Sequence, residues 1–215
     1  MRVLVLVEGI SDAKSLSQVL RPVLNNADSR GIGVEFKAWG GKARLLNLGL
    51  RYAATYLAEH EEDWCIALPD LYPWRDFKSP WQHTHAGELR QRLQEGFNRA
   101  ARARGGYSQM QHRFIPHVLQ HDLEVLLLAA EEPLRRRLGI NHLGRTWQTP
   151  VEDQNGGHPP KSVIQALFLK HKGMAYQDTV DAPWILKQAD LEALCGACPQ
   201  AFAPFVDDLQ RLISR

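Results

Sequence analysis

The sequence predicts an α/β fold in which a mostly parallel sheet is flanked by helices. An unbroken, valine-rich apolar run at residues 3–7 is typical of a strand that is buried on both faces of a parallel sheet. The first third of the chain alternates strand, helix, strand, helix and strand, an order that implies parallel pairing through right-handed crossovers. We therefore expect one α/β domain over residues 1–215, with residues 161–215 as a helical C-terminal extension.

The predicted elements of the N-terminal third follow from their apolar patterns. Strands are expected at residues 2–8, 34–39 and 64–68. Apolar residues at helical spacing predict a helix that ends near Leu24, before the turn residues of 25–33. A second helix is expected at 42–61, after the chain break at Gly40 and Gly41.

The rest of the chain contains two long irregular stretches and several helices. A loop rich in aromatic residues and prolines covers residues 71–85, and the second irregular stretch covers 144–160. A fourth strand is expected at 113–119. Helices are expected at residues 87–104, 121–130, 161–172, 183–194 and 202–213.

Composition places the chain among ordinary globular proteins. Of 215 residues, 44% are hydrophobic and 23% are charged. A formal charge of +2 excludes a strongly basic nucleic-acid coat protein but allows an enzyme that meets phosphates through a local patch. Three cysteines cannot form a disulfide framework, and the apolar run at 3–7 is far too short to cross a membrane. We expect a cytoplasmic protein with no membrane partner.

The strongest candidates for chemistry are Glu8 and Asp70, which follow the first and third predicted strands. The carboxyl ends of parallel strands meet at one edge of the sheet, where α/β proteins bind ligands. Two carboxylates there form a natural site for Mg²⁺, which prefers oxygen ligands and can activate water for hydrolysis. The structural alternative is that both residues cap the first turns of helices.

Two further segments offer candidate side chains. His121 and Glu124 are three residues apart, so both can lie on one helical face and complete a metal shell or transfer protons. The alternative is an acidic helix start that complements the helix dipole. Lys161 follows the flexible stretch 155–157 and can neutralise charge on a phosphate, or it is a solvated surface lysine.

Basic and aromatic residues suggest contact with nucleic acid. Arg135, Arg136 and Arg137, together with five arginines at residues 90–104, can contact a phosphate backbone, although interspersed glutamates are equally typical of a solvated helix face. The loop aromatics Trp74, Phe77 and Trp81 can stack on bases, dock a partner or cover the sheet. Cys195 and Cys198 have the spacing of a zinc pair, but the sequence has no second pair, so we expect reduced thiols.

Five short motifs occur in order: Val-Glu-Gly-Ile-Ser-Asp at 7–12, Pro-Asp-Leu-Tyr at 69–72, His-Asp-Leu-Glu-Val-Leu-Leu at 121–127, Pro-Pro-Lys at 159–161 and Cys-Pro-Gln-Ala-Phe at 198–202. Together they resemble an uncharacterised bacterial family described as a domain of unknown function (family 4276), over residue 3 to about residue 212. Proteins of that family are often encoded beside ATPases in defence or restriction loci. The family in turn resembles the Toprim fold of topoisomerases, primases and the overcoming-lysogenisation-defect nucleases.

The resemblance implies a metal site at the carboxyl edge of the sheet. Toprim proteins place a glutamate after the first strand and an Asp-x-Asp after the third, where these residues hold Mg²⁺ for breaking or joining phosphodiester bonds. Glu8 matches the glutamate and Asp70 the first aspartate, but Tyr72 stands at the second. His121 or Glu124 can replace the missing ligand, and Lys161 matches a lysine of the family pattern.

The leading hypothesis is a Toprim-like, Mg²⁺- or Mn²⁺-dependent phosphodiesterase or nuclease that acts with an ATPase partner in antiphage defence. Glu8, Asp70 and Lys161 would be its catalytic residues, and Glu8, Asp70, Glu124 and His121 its metal ligands. The rival is a non-catalytic module that binds nucleic acid, a nucleotide or a partner protein with a degenerate site. A third hypothesis is a structural adaptor that docks through residues 72–81. The sequence leaves the substrate and the oligomeric state open, including a homo-oligomer.

Overall fold

Four parallel strands form the sheet at the centre of the structure. A computed structural model describes residues 1–72, 77–153 and 159–215 of the chain. The strands are β1 (Arg2–Val7), β2 (Gly33–Ala38), β3 (Trp64–Leu68) and β4 (Phe114–Pro116), in the order β2-β1-β3-β4. All three strand pairs are parallel, which confirms the predicted α/β class with helices flanking a parallel sheet.

β1 is the inner strand on which the register of the sheet depends. Val3 to Val7 are all buried, as expected for a strand that is covered on both faces. Val7 pairs with Ala38 on one side and with Leu68 on the other, so β1, β2 and β3 end at the same level. β4 is shorter than predicted because Pro69, which follows β3, has no N–H to donate to the next carbonyl of the ladder, but a further bridge joins Asp70 to Leu119.

Helices cover both faces of the sheet and make up most of the C-terminal half. Their bounds are α1 (Ile10–Val19), α2 (Arg21–Ser29), α3 (Lys42–Arg44), α4 (Leu50–Glu59), α5 (Ala86–Arg104), α6 (Tyr107–Met110), α7 (Glu124–Ala129), α8 (Glu131–Leu138), α9 (Pro160–Lys172), α10 (Asp178–Leu186), α11 (Leu191–Ala197) and α12 (Phe202–Ile213). A π-helical turn, Leu45–Gly49, joins α3 to α4, and a 3₁₀ turn covers Val151–Asp153.

Three predicted helix boundaries are wrong. Residues 25–29 belong to α2 rather than to a turn, because Val23 and Ala27 pack into the core and override the turn preference of the asparagines. The helix expected at 183–194 is two helices, α10 and α11, with Asp190 capping the second through a 2.8 Å bond from the Ala193 N–H. The apolar helix begins at Glu124 rather than at residue 121.

The two faces of the sheet have separate hydrophobic cores. Leu4 and Leu6 of β1 face α4 and α5, and Phe97 of α5 stacks on Phe114 with ring centroids 4.2 Å apart. Val3, Val5 and Val7 face the other side, where α1 packs with α7, α9, α10 and α12. The predicted C-terminal extension, residues 161–215, therefore buries its apolar side chains in the same core as β1. None of the helices in the described residues is long and apolar enough to span a bilayer.

Candidate functional site at the carboxyl edge of the sheet

Glu8 and Asp70 lie next to each other at the carboxyl ends of β1 and β3. Because these strands are neighbours in register, the residues that follow them leave the sheet side by side. The Asp70 N–H donates a 3.0 Å hydrogen bond to Glu8 Oε1, which fixes the carboxylate above the sheet edge. The sequence prediction that these two carboxylates share one edge describes this arrangement correctly.

Asp12 is a third carboxylate at this edge that the sequence analysis did not single out. It lies in the first turn of α1 and is 9% exposed. Its Oδ2 accepts a 2.7 Å hydrogen bond from the Gly9 N–H, so the turn between β1 and α1 holds it close to Glu8. The spacing of four residues from Glu8 across a strand–helix junction is the sequence signal that could have identified it.

Asp122 and Glu124 reach the same edge from the far side of β3. The bridge between Asp70 and Leu119 carries the chain after β4 alongside the end of β3, just before these two residues. Glu124 begins α7 and is 3% exposed. Asp122 Oδ1 is buried and has no hydrogen-bond partner among the described residues. An oxygen left in this state is costly unless another group binds it.

The five carboxylates influence one another strongly. Burial raises the pKa of Asp70 well above its usual range, and the charges of Glu8, Asp12, Asp122 and Glu124 add to the rise in that order. Burial likewise raises the pKa of Glu8 to about 7 and that of Asp122 to about 7. The pKa of Asp12 rises to about 6, again mainly through burial, with a contribution from Glu124. The site thus concentrates negative charge that lacks sufficient compensation.

Lys42 supplies a buried positive charge on the β2 side of this cluster, and sequence reasoning missed it. It is 4% exposed, and its Nζ donates to the Leu71 carbonyl at 2.7 Å and contacts His83 Nε2 at 3.1 Å. Burial lowers its pKa to about 8, against the opposing influence of Glu8 and then Asp70. Its position just after the Gly40-Gly41 turn, at the carboxyl end of β2, is the signal that could have identified it.

Lys161 supplies the second positive charge, from the first turn of α9. Its Nζ lies 3.3 Å from Glu124 Oε1 and 3.6 Å from Asp178 Oδ2, and its side chain is 45% exposed. Its backbone N–H donates to Asp122 Oδ2 at 3.3 Å. Burial by itself lowers the pKa of Lys161. The negative charges of the neighbouring carboxylates, above all Glu124, outweigh burial, so the pKa is raised. The structure therefore brings Lys161 to the predicted carboxylates.

His121 is held by its own contacts beside the cluster. It has a positive φ of 72° and lies outside α7, so the expectation that His121 and Glu124 share one helical face is wrong. Its Nε2 is 2.8 Å from the Glu152 carbonyl, and its ring stacks on Tyr72 at a centroid distance of 5.2 Å. Tyr72, which stands where Toprim proteins have a second aspartate, thus packs against the segment that carries Asp122 and Glu124.

The arginines predicted to contact nucleic acid are engaged within the protein. Arg137 forms an ion pair with the buried Asp181, in which two guanidinium nitrogens donate to the same oxygen, Oδ1, at 2.6 and 2.8 Å. Arg136 pairs with Glu132, and Arg135 donates to the Asn141 carbonyl at 2.6 Å. These contacts use many of the N–H donors of the three arginines. A role of these arginines in nucleic-acid binding stays a prediction.

Other residues noted in the sequence lie elsewhere or outside the described residues. Trp74 and residues 155–157 lie outside the described residues, in the segments 73–76 and 154–158. Phe77 lies beside Lys42, whose Nζ is 5.1 Å from the ring centroid. Cys198 is buried and Cys195 is partly buried, and both thiols are free. Burial raises the pKa of each thiol, as expected for unreactive cysteines.

The donor set of this edge suits Mg²⁺ even though it does not form a closed cage. Among residues 1–72, 77–153 and 159–215, no three His, Cys, Asp or Glu side chains are grouped closely enough to hold a metal ion as they stand. Mg²⁺, however, keeps several waters and is usually bound through one or two carboxylates together with substrate phosphates. The unpartnered Asp122 Oδ1 and the mutually repelling carboxylates are the features that a bound divalent cation would satisfy.

Comparisons with known proteins agree with the resemblance seen in the motifs. The family model described as "Domain of unknown function (DUF4276)" matches residues 7–210. None of the curated proteins compared with the sequence matches it significantly.

Two solved structures share the fold over nearly their whole length. The C-terminal region of the Xanthomonas campestris pv. campestris OLD protein is 16% identical, with a TM-score of 0.52, and the match covers 99% of this chain and 95% of that one. The C-terminal region of the Burkholderia pseudomallei OLD protein is 12% identical, with a TM-score of 0.50 and 98% coverage of both chains. These similarities confirm the predicted Toprim-like α/β fold class.

Proposed function

The chain belongs to the DUF4276 family and has the fold of the OLD C-terminal region, and from this premise we propose that it is a divalent-metal-dependent phosphodiesterase or nuclease of Toprim type. One observation carries the proposal. Five carboxylates from separate segments of the chain, Glu8, Asp12, Asp70, Asp122 and Glu124, act on one another electrostatically at the carboxyl edge of a parallel sheet. Burying so much like charge is expensive, and a structural role alone does not require it.

The carboxylates approach the sheet edge from two sides. Glu8 and Asp70 share one hydrogen bond at the strand ends, whereas Asp122 and Glu124 approach from the α7 side. In this proposal Asp70, Asp122 and Glu124 hold Mg²⁺ or Mn²⁺, Glu8 is either a further ligand or the general base, and Asp12 completes the negative field. When bound, such an ion polarises a phosphate oxygen and lowers the pKa of a water.

The side chains of the protein supply the remaining steps. In the metal-free protein burial raises the pKa of Glu8 to about 7. As the general base, Glu8 would accept the proton of the attacking water. Lys161 is part-exposed beside Glu124 and can neutralise the charge that develops on the scissile phosphate. Lys42 is buried under Glu8 and Asp70 and reduces their mutual repulsion. His121 positions the segment that bears Asp122 and Glu124 by bonding to the Glu152 carbonyl.

The resemblance also supports partners, which belong to this proposal. Nuclease action requires a nucleic-acid substrate, and relatives of the family are encoded beside ATPases in defence loci. We therefore extend the proposal to an ATPase partner in antiphage defence. We expect the chain to co-purify with such an ATPase. Nuclease activity should depend on ATP only when the chain and the ATPase are both present.

The central test is metal-dependent cleavage. Labelled single- and double-stranded DNA and RNA are incubated with the purified protein in Mg²⁺, Mn²⁺ or EDTA. Cleavage should require a metal, vanish in Glu8→Gln and persist in the control Glu59→Gln, which removes an exposed carboxylate at the end of α4. Cleavage that is unchanged in Glu8→Gln would exclude Glu8 from the mechanism.

The rival function is metal-independent binding at the same edge, and the tyrosine at position 72 favours it because one Toprim carboxylate is missing. Thermal unfolding separates the two hypotheses. Saturable stabilisation by Mg²⁺ or Mn²⁺ that disappears in Asp70→Asn supports the metal site. Nucleic-acid binding without any response to metal, and without cleavage, supports the binding module.

A further inference from the structure

A basic groove lies on the α4–α5 side of the sheet, apart from the carboxylates. It has a volume of about 620 Å³. Its apolar lining comes from the π-helical turn, the start of α4, the second half of α5 and Trp81. Trp81 Nε1 donates to Asn47 Oδ1 at 2.9 Å, which ties the two walls of the groove together.

The charged residues that line this groove are all arginines. They are Arg51 on α4 and Arg99 and Arg104 on α5, and the described lining includes no aspartate or glutamate. All three side chains are exposed, and within the described residues none makes a hydrogen bond or ion pair through its guanidinium. Arg92, on the same helix α5, instead pairs with two glutamates. The groove therefore presents positive charge that no carboxylate among its described lining residues neutralises.

The spacing of these arginines fits a repeating anion. Arg99 and Arg104 are five residues apart on one helix, which corresponds to about 7.5 Å along its axis. Arg51 faces them from α4 across the groove. Exposed guanidinium groups on two facing helices can contact successive phosphates of one strand.

One helical segment joins the groove to the carboxylate edge. From Lys42 to Arg51 the chain runs through α3, the π-helical turn and the start of α4, about 13 Å at a helical rise of 1.5 Å per residue. That length corresponds to about four nucleotides at 3.4 Å per nucleotide. A second connection lies inside the protein, through buried His83, whose ring nitrogens contact the Trp81 carbonyl at 2.7 Å and Lys42 Nζ at 3.1 Å.

We infer that this groove binds the phosphodiester backbone of the nucleic-acid substrate. The inference rests on the proposed function for the identity of the substrate. It assigns backbone contact to Arg51, Arg99 and Arg104, whose guanidinium groups can each bind a phosphate in a bidentate manner. Contacts of this kind position a strand without reading its sequence.

The test measures binding without cleavage. Fluorescence anisotropy of labelled single- and double-stranded DNA and RNA is recorded in EDTA over a range of salt concentrations. The triple variant Arg51→Gln, Arg99→Gln, Arg104→Gln should bind at least about tenfold more weakly at 0.1 M salt, and its log–log salt slope should fall by about 2 to 3. The corresponding triple Arg→Lys variant should retain most of the slope, because the charges remain.

A matched control removes the same charge elsewhere. Lys14, Arg30 and Lys170 are exposed residues of α1, of the end of α2 and of α9, and none lines the groove. Their triple glutamine variant should keep the affinity and slope of the unsubstituted protein. All variants are first shown to unfold at the same temperature, so that a loss of binding reports the groove rather than the fold.

Several results would overturn the inference. The first is that the unsubstituted protein binds no oligonucleotide. The second is that the groove variant and the control variant lose the same amount of affinity. The third is that the protein binds phosphatidylserine vesicles or an acidic peptide instead of oligonucleotides. Failure of the proposed function would look different from failure of this inference. In that case the protein would not cleave nucleic acid in Mg²⁺ or Mn²⁺, but its binding of oligonucleotides in EDTA would still depend on the groove arginines. Cleavage with unimpaired binding in the groove variant would reject the groove alone.

Discussion

Replacing Glu8 with glutamine should stabilise the metal-free protein while it abolishes cleavage. Glu8 is buried among other carboxylates, and its pKa rises from an ordinary value of 4.5 to about 7. Glutamine retains an oxygen that can accept the bond from the Asp70 N–H but carries no charge. The substitution therefore removes a charge that the folded state disfavours at neutral and alkaline pH.

The size of this effect follows from linkage between protonation and folding. Because the folded pKa lies above the unfolded one, the protein gains stability as pH falls from about 7 to about 4.5 and loses it as pH rises again. At about 1.4 kcal/mol per pKa unit, the ionised group costs at most about 3 kcal/mol at pH 8 and about 1 kcal/mol at pH 5. Both figures already include the opposing attraction to Lys42, because that attraction is part of the balance that sets the pKa at about 7.

Urea unfolding in EDTA, followed by tryptophan fluorescence at pH 8 and pH 5, measures the difference directly. Glu8→Gln should be more stable than the unsubstituted protein at pH 8, and the gain should shrink toward pH 5. Glu59→Gln, at an exposed site, should show no pH-dependent difference. A Glu8→Gln protein that is less stable at pH 8, or a gain of equal size at both pH values, would refute the electrostatic argument.

Three further predictions concern the framework around the site. Glu152→Ala should cost at least about 3 kcal/mol in urea unfolding, because the buried carboxylate accepts three backbone N–H groups at the start of α12; an unchanged midpoint would contradict this. Gly96→Ala should cost about 1–3 kcal/mol, since the new Cβ would lie 2.5 Å from Trp81, whereas Gly196→Ala meets no atom within 4 Å. Arg137→Leu should cost about 3 kcal/mol by leaving a buried aspartate unpaired, while Arg136→Leu, with an exposed partner, should cost below about 1 kcal/mol. Equal losses in the last pair would show that burial of the ion pair is unimportant.

The sequence predicted the sheet and the strand-end carboxylates because their determinants are local. Residues 64–68 and 202–213 have the predicted bounds, since their apolar patterns match the period of the element and most of their apolar side chains are buried. Glu8 and Asp70 were predictable because each directly follows such a strand.

The rest of the site depends on contacts between distant parts of the chain. Lys42 reaches Leu71 across 29 residues, and Lys161 reaches Asp122 across 39. No local pattern shows that these groups converge. His121 was misplaced for a related reason: its positive φ is set by the surrounding contacts, and the apolar periodicity after it suggested a helix that begins three residues too early.

The π-helical turn Leu45–Gly49 has a consequence for how the chain tolerates insertions and deletions. An α-helix advances about 100° per residue, and a π-helical turn accommodates one residue more than the α-helical spacing allows. The turn therefore absorbs one extra residue, while Lys42 and the core residues of α4 keep nearly the relative direction of a continuous α-helix. Deleting one residue between Leu45 and Gly49 should convert the turn to α-helix and leave Lys42 directed into the site, whereas deleting one residue within α4 would rotate its core residues by about 100° relative to Lys42. This turn is therefore the part of the segment where a change of length disturbs the site least.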